Sequence, residues 1–243
     1  MDIRPCAAAA RNVVQQVAYT KANYPSAAKL ATDTLNNVVS RWGSLINKYR
    51  GALPMGVVAV RIQVENSGNP NAVSANQEKG LLQLWPADLS TYGVTNPFDP
   101  DQNLKAGCKK WLAAGSRFVS TVQNKHGIVM DINNAWPMVQ LDTMVGSGAM
   151  QRLVALAVER GLAVSLGGLV ALVSRPDAHT FMTSSKGYWG SQPPSCVAHR
   201  VVVAGIMDEA ARIVDPAYGI GGLVPMLGLV AVGWILAKYV FLL

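Results

Sequence analysis

Residues 59–86 read AVRIQVENSGNPNAVSANQEKGLLQLWP. An apolar helix that starts near Pro54 and carries Val57, Val58, Ile62 and Val64 runs into one carboxylate, Glu65. Gly68-Asn69-Pro70 forbids its continuation. A polar loop follows, and Gly80-Leu81-Leu82-Gln83 opens a second apolar start. At a helix C-terminus the unpaired carbonyls carry partial negative charge and disfavour an ionised carboxylate. Apolar surroundings act in the same direction, which suits a general acid working near neutral pH. Arg61 lies one turn earlier, so an exposed i,i+4 ion pair is the plain alternative for Glu65. Ser74 is small and polar, suited either to hydrogen bonding near the carboxylate or to a turn. Gly80 permits close backbone approach or a tight turn. Gln83 donates and accepts at once, as pairing with another amide requires, although a solvent-facing glutamine is the commoner case. Trp85 is an exposed stacking platform or core, with core the preferred expectation.

Outward from this stretch, nearly everything reads as helix. Residues 8–22 form one, stopped by Asn23-Tyr24-Pro25, and Ser26 caps the next. In that second helix Leu35, Val38, Val39, Trp42, Leu45, Ile46 and Tyr49 recur at helical spacing on a single face. Gly51 and Pro54 end it. Downstream, Asp99 and Asn103 are expected to cap and open a helix, and His126-Gly127 stops the helical text that begins near Gly115. Residues 127–150 carry no readable period, and Trp136-Pro137 is expected to interrupt any regular element. Residues 150–173 are split by Glu159-Arg160 and read as core helix, too short to span a bilayer. A Ser/Gly/Pro-rich loop over 184–195 precedes a helix over Val197–Val214, ended by Asp215-Pro216. The run 220–237 has no charge; its 18 residues would extend about 27 Å as a helix, near the hydrocarbon thickness. Tyr218 at one end, Trp234 and Tyr239 at the other, and Lys238 able to snorkel complete the pattern of a C-terminal membrane anchor.

The 59–86 stretch resembles the lytic transglycosylase (SLT, goose-lysozyme-like) family. Glu65, Pro70, Ala72, Ser74, Gly80, Leu81, Gln83 and Pro86 fall at the family's spacing without a gap, and Leu82 stands where the family prefers Met. Phe98, Asp99, Pro100, Asn103, Gly107 and Leu112 resemble a second family stretch, and the segment around Gly187-Tyr188-Trp189 a third, looser one. Asn66, Gly68 and Gln77-Glu78 depart from the pattern, and no Tyr-Asn-Ala-Gly occurs between residues 113 and 187. The resemblance implies a mainly α chain: an N-terminal helical segment over 1–44, a lysozyme-like domain over 45–216 and a transmembrane anchor over 217–243. It further implies cleavage of the MurNAc-β-1,4-GlcNAc bond of peptidoglycan without water. Glu65 would be the one catalytic acid and base, and Ser74, Gly80, Leu82 and Gln83 would bind the glycan.

Composition narrows the partners. Half of the 243 residues are hydrophobic and 14% are charged, with a formal charge of +7, a balance that favours anionic partners such as peptidoglycan and phospholipid heads. No Lys/Arg run interleaved with aromatics points to specific nucleic acid. His126, His179 and His199 share no metal-ligand spacing with one another or with Cys6, Cys108 and Cys196, so neither a metal nor another cofactor is expected. The cysteines read as buried free thiols. Asp88, Asp99 and Asp101 read as caps and turns rather than as a second catalytic carboxylate. MDIRPCAAAARNVVQQ lacks the apolar core of a secretory signal, while the C-terminus reads as an anchor. Together these lead to an expectation of delivery by a bacteriophage virion with an internal membrane, where the partners are glycan strands, the lipid bilayer through 218–243 and other virion membrane proteins. A non-catalytic membrane protein that binds glycan or scaffolds assembly through the same fold stands as the alternative.

Overall fold

The computed structural model describes residues 32–173 and 194–218. The readings for residues 8–22, for the Ser26 cap, for the loop over 184–195 except its last two residues, and for the apolar run 220–237 lie outside these residues. Eight helices are described: α1 Thr32–Tyr49, α2 Met55–Asn66, α3 Pro86–Thr91, α4 Pro100–His126, α5 Ile132–Val145, α6 Ser147–Glu159, α7 Leu166–Val173 and α8 Pro194–Val214. Among the described residues extended structure is limited to isolated bridges between Val73 and Lys79 and between Lys79 and Leu84. The mainly α expectation holds there.

Helix α2 is the axis of the bundle. Gly56, Val57, Val58, Ala59, Val60, Ile62 and Gln63 are all buried, because α1 packs along one side of it and α8 along another. Leu35, Val38 and Ile46 of α1 supply the face that the spacing predicts. The crossing with α8 is close enough that a Cβ on Gly56 would lie 2.1 Å from the Ala211 carbonyl oxygen. There the Gly56 N–H donates to Asp215 Oδ2 (3.2 Å), which satisfies one of the orphan donors at the start of α2. Gly56→Ala is therefore expected to force the two helices apart and cost about 1–3 kcal/mol, read as a lower midpoint in urea unfolding.

Helix α4 runs unbroken for 27 residues, roughly 40 Å. Asp99 caps it by accepting from the Asp101 N–H (3.0 Å), and Gly127 at φ 68° ends it, both as the sequence predicts. Gly115 in its middle leaves the gap that the buried Trp136 ring fills; a Cβ there would sit 2.7 Å from that ring.

The stretch 127–150 differs from expectation. Trp136 and Pro137 lie inside α5, which Asp131 caps through the Asn133 N–H (3.0 Å). Pro137 removes one ladder bond, but Ala135, Trp136, Met138, Val139 and Leu141 are fully buried, and that burial outweighs the loss.

Tyr218 also corrects the sequence reading. It does not mark a membrane interface: the ring is buried against the bundle and its hydroxyl donates to Asp208 Oδ1 (2.7 Å). Burial and then the Asp208 carboxylate push its phenol well above the usual range. Among the described residues no helix is long and apolar enough to cross a membrane.

Candidate functional site

Glu65 is the second-last residue of α2. Ser67 closes the helix in the left-handed region (φ 56°), donating its N–H to Gln63 O (3.0 Å), and Gly68 at φ 81° turns the chain away. The turn is seated on α1, where Trp42 Nε1 donates to Gly68 O (3.1 Å). A side chain on Gly68 would meet Trp42 and Val38, which is why a glycine stands here.

Asn66 ties this helix end to the next part of the site. Its Nδ2 donates to both Gly80 O and Leu81 O (2.9 Å each), and its Oδ1 accepts from the Gly68 N–H (3.0 Å). The Gly80–Gln83 turn is pinned from the far side by Asn103, which is fully buried. Asn103 Nδ2 donates to Lys79 O (3.0 Å) and Pro97 O (2.9 Å), and its Oδ1 accepts from the Leu82 N–H (2.9 Å). Asn103 thus does not open α4 as a cap. It lies one turn inside the helix, with its amide facing the turn. Gly80 at φ 76° could carry no side chain: a Cβ would sit 2.2 Å from Asn103 Nδ2 and 2.3 Å from Pro97 O. Leu82 is buried against Gly107, where a Cβ would meet the leucine side chain at 2.4 Å.

Gln83 is held in the left-handed region (φ 45°), where an L side chain costs about 1–2 kcal/mol. Its own Nε2 offsets that by donating to Gly80 O (2.7 Å) and Ala72 O (3.3 Å). The side chain is buried, not solvent-facing.

Ser74 is engaged elsewhere. Its hydroxyl donates to Glu78 Oε2 (2.9 Å) and accepts from the Asn76 and Glu78 N–H groups, which shapes the loop. The structure therefore gathers Gly80, Leu82 and Gln83 into one knot sewn to the residue after Glu65, while the Ser74 hydroxyl serves its own turn. Trp85 reverses its expectation: it is 45% exposed, two residues past Gln83, and offers a ring face to solvent rather than to the core.

The i,i+4 pair forms, with Arg61 Nη2 2.5 Å from Glu65 Oε1, but neither side chain is freely exposed: 20% for Arg61 and 23% for Glu65. The guanidinium lies 5.1 Å from the Trp111 ring centroid. The other nearby carboxylates are occupied. Asp88 pairs with Lys110 (2.6 Å), Asp99 caps α4, and Asp101 takes Lys48 (2.8 Å) and the Tyr49 hydroxyl (2.5 Å), which hold its carboxyl below the usual range. Cys108 is a buried free thiol, pushed up to about 12 by burial. The larger concavities lie away from the Gly80–Gln83 knot: one of about 430 Å³ around Arg50, Pro54, Asp131 and Asp215, and one of about 490 Å³ around Val129, Val158 and Leu162.

Residues 45–114 match the Transglycosylase SLT domain family. The chain is 47% identical over 51 residues to the transglycosylase of Enterobacteria phage PRD1, which covers 21% of this chain and 19% of that protein. It is 31% identical over 75 residues to the membrane-bound lytic murein transglycosylase F of Histophilus somni strain 2336, covering 31% of this chain and 16% of the relative. The corresponding protein of Photobacterium profundum is 27% identical over 90 residues, covering 37% of this chain and 18% of the relative. In each case the match spans less than a fifth of the relative's length. The resemblance to lytic transglycosylases is thus shown for the segment that holds Glu65, Gly80 and Gln83.

Proposed function

We propose that this chain is a lytic transglycosylase that cleaves the MurNAc-GlcNAc bonds of peptidoglycan with Glu65 as its one acid and base. The observation that carries the reading is the placement of Glu65. It ends a buried helix, one residue from the Asn66 clamp on the Gly80–Gln83 knot, inside the matched segment. Protonated Glu65 gives its proton to the glycosidic oxygen as the bond to C1 breaks, and the electron pair leaves with the GlcNAc hydroxyl. The resulting carboxylate takes the proton of the MurNAc 6-hydroxyl while that oxygen bonds to C1. Water does not enter, and Glu65 returns to its starting state. Gly80, Leu82 and Gln83 form the glycan floor. The Gln83 carbonyl oxygen accepts from an acetamido N–H, and Ser74 borders the cleft through its loop.

The membrane and the virion belong to the same proposal. The apolar sequence over 220–237 supports anchoring through the residues that follow Tyr218, beyond a helical segment over 1–44 and a lysozyme-like domain from residue 45. The phage relative supports a virion protein that opens the wall during genome entry.

The test is digestion of purified peptidoglycan by the full chain in mild detergent, with products read by mass spectrometry. Muropeptides carrying 1,6-anhydro-MurNAc are expected. Reducing-end products would replace the reading with hydrolysis, and glycan binding without products would replace it with a scaffold.

A further inference from the structure

The mechanism above leaves one charged side chain at Glu65 without a task. Arg61 is built unlike a surface ion-pair partner, whose long side chain wanders in solvent and contributes little. Its side chain lines a small apolar cavity together with Leu53, Val57, Val58, Leu82, Cys108 and Trp111. Trp111 of α4 faces the guanidinium at 5.1 Å, and only a fifth of the Arg61 side chain is exposed. Arg61 Nε is buried with no hydrogen-bond partner, a cost that a purely structural arginine would avoid by reaching a carbonyl. The rotamer freedom of Arg61 is thus spent on packing, and its Nη2 is delivered to one oxygen of Glu65, Oε1. Glu65 Oε2 makes no hydrogen bond among the described residues.

We infer that Arg61 is the positioning residue for Glu65, a role that rests on the proposed transglycosylase reading. Helical spacing puts it on the same face one turn back, so it fixes the carboxyl plane and leaves Oε2 as the oxygen that exchanges protons with substrate. When the Oε2 proton moves to the glycosidic oxygen and the C1–O bond breaks, negative charge appears on the Glu65 carboxylate. The fixed guanidinium meets that charge as it develops, without having to reorganise. The charge is discharged when Oε2 takes the 6-hydroxyl proton, and Arg61 stays in place throughout.

The experiment compares wild type, Arg61→Met, Arg61→Lys and Arg61→Met combined with Glu65→Gln, as full chains, on soluble glycan strands. Thermal melting is recorded for each. Arg61→Met is expected to lower kcat about tenfold to a hundredfold, the loss of one fixed charge beside Glu65, with KM within about threefold of wild type. Arg61→Lys keeps the charge and is expected to recover most of kcat if it melts near wild type. In the Glu65→Gln background Arg61→Met is expected to remove nothing further. A folded Arg61→Met with wild-type kcat overturns the inference. So does a loss carried by KM, or a Lys variant that folds yet rescues nothing. Wild type that yields no anhydro product removes the transglycosylase reading, and this role with it; active wild type beside an unimpaired Arg61→Met removes the positioning role alone.

Discussion

Glu65→Gln is expected to abolish anhydro-muropeptide formation, with the rate falling at least about a thousandfold. One proton-transfer group is typically worth about 10²–10⁴ in rate, and in the proposed mechanism the same carboxyl serves both the donation and the abstraction. The substitution is isosteric, and the amide it introduces would still offer Arg61 an acceptor oxygen, so glycan affinity and melting temperature are expected to stay near wild type. That separation is the point of the measurement: catalysis lost, binding kept. Residual activity above about a tenth would place the chemistry on another carboxylate, and the structure makes such a group hard to find. Asp88, Asp99 and Asp101 are already spent on Lys110, on the α4 cap and on Lys48 with Tyr49. Glu78 holds the Ser74 hydroxyl. Glu65 lies one residue from the Asn66 clamp on the Gly80–Gln83 knot, inside the segment that matches the family.

Much of this site was legible in the sequence because its determinants are local. A run of apolar residues ending on Glu65, a Gly-Asn-Pro break and a Gly at φ 76° are features of contiguous chain, and spacing reports them directly. What escaped depends on contacts between distant segments. Asn66 reads as an anomaly until its amide is seen to reach Gly80 and Leu81. Asn103 has the composition of a helix cap, and only the approach of Lys79, Pro97 and Leu82 turns it into a clamp. Trp85 follows an apolar run and so reads as core, yet Pro86 starts α3 at once and leaves the ring outside. Trp136-Pro137 shows the opposite error, since a local breaker is overridden by burial against Gly115. Arg61 was visible as a pair with Glu65, but its packing under Trp111 was not, because α4 brings that ring from a distant part of the chain.

Asn103→Ala carries the largest expected loss of stability. One buried side chain satisfies three main-chain groups, the Leu82 N–H and the Lys79 and Pro97 carbonyls, at 2.9–3.0 Å. Alanine leaves these groups buried and unpaired, and each orphaned group costs about 1–3 kcal/mol. Water that enters the space repays part of this, so about 3–5 kcal/mol is expected, a fall in melting temperature of roughly 10 °C. Asn103→Asp distinguishes the hydrogen bonds from the volume. Its carboxylate still accepts from Leu82 but faces two carbonyl oxygens, so burial and repulsion raise its folded-state pKa above the unfolded value. The variant should then be most stable at acid pH, where the protonated carboxyl donates one bond, and should lose stability as pH rises through the folded-state pKa. The loss should reach the site as well. With the Leu82 N–H released, Gly80 and Gln83 are no longer held in their left-handed conformations from the α4 side, and the Asn66 clamp and the Gln83 side-chain bonds to Gly80 and Ala72 remain. Below its melting temperature Asn103→Ala should therefore show raised KM on soluble glycan with a smaller change in kcat, because the proposed glycan floor lies in the knot while Glu65 sits on α2. A melting temperature within about 2 °C of wild type would show that the turn holds its shape without Asn103.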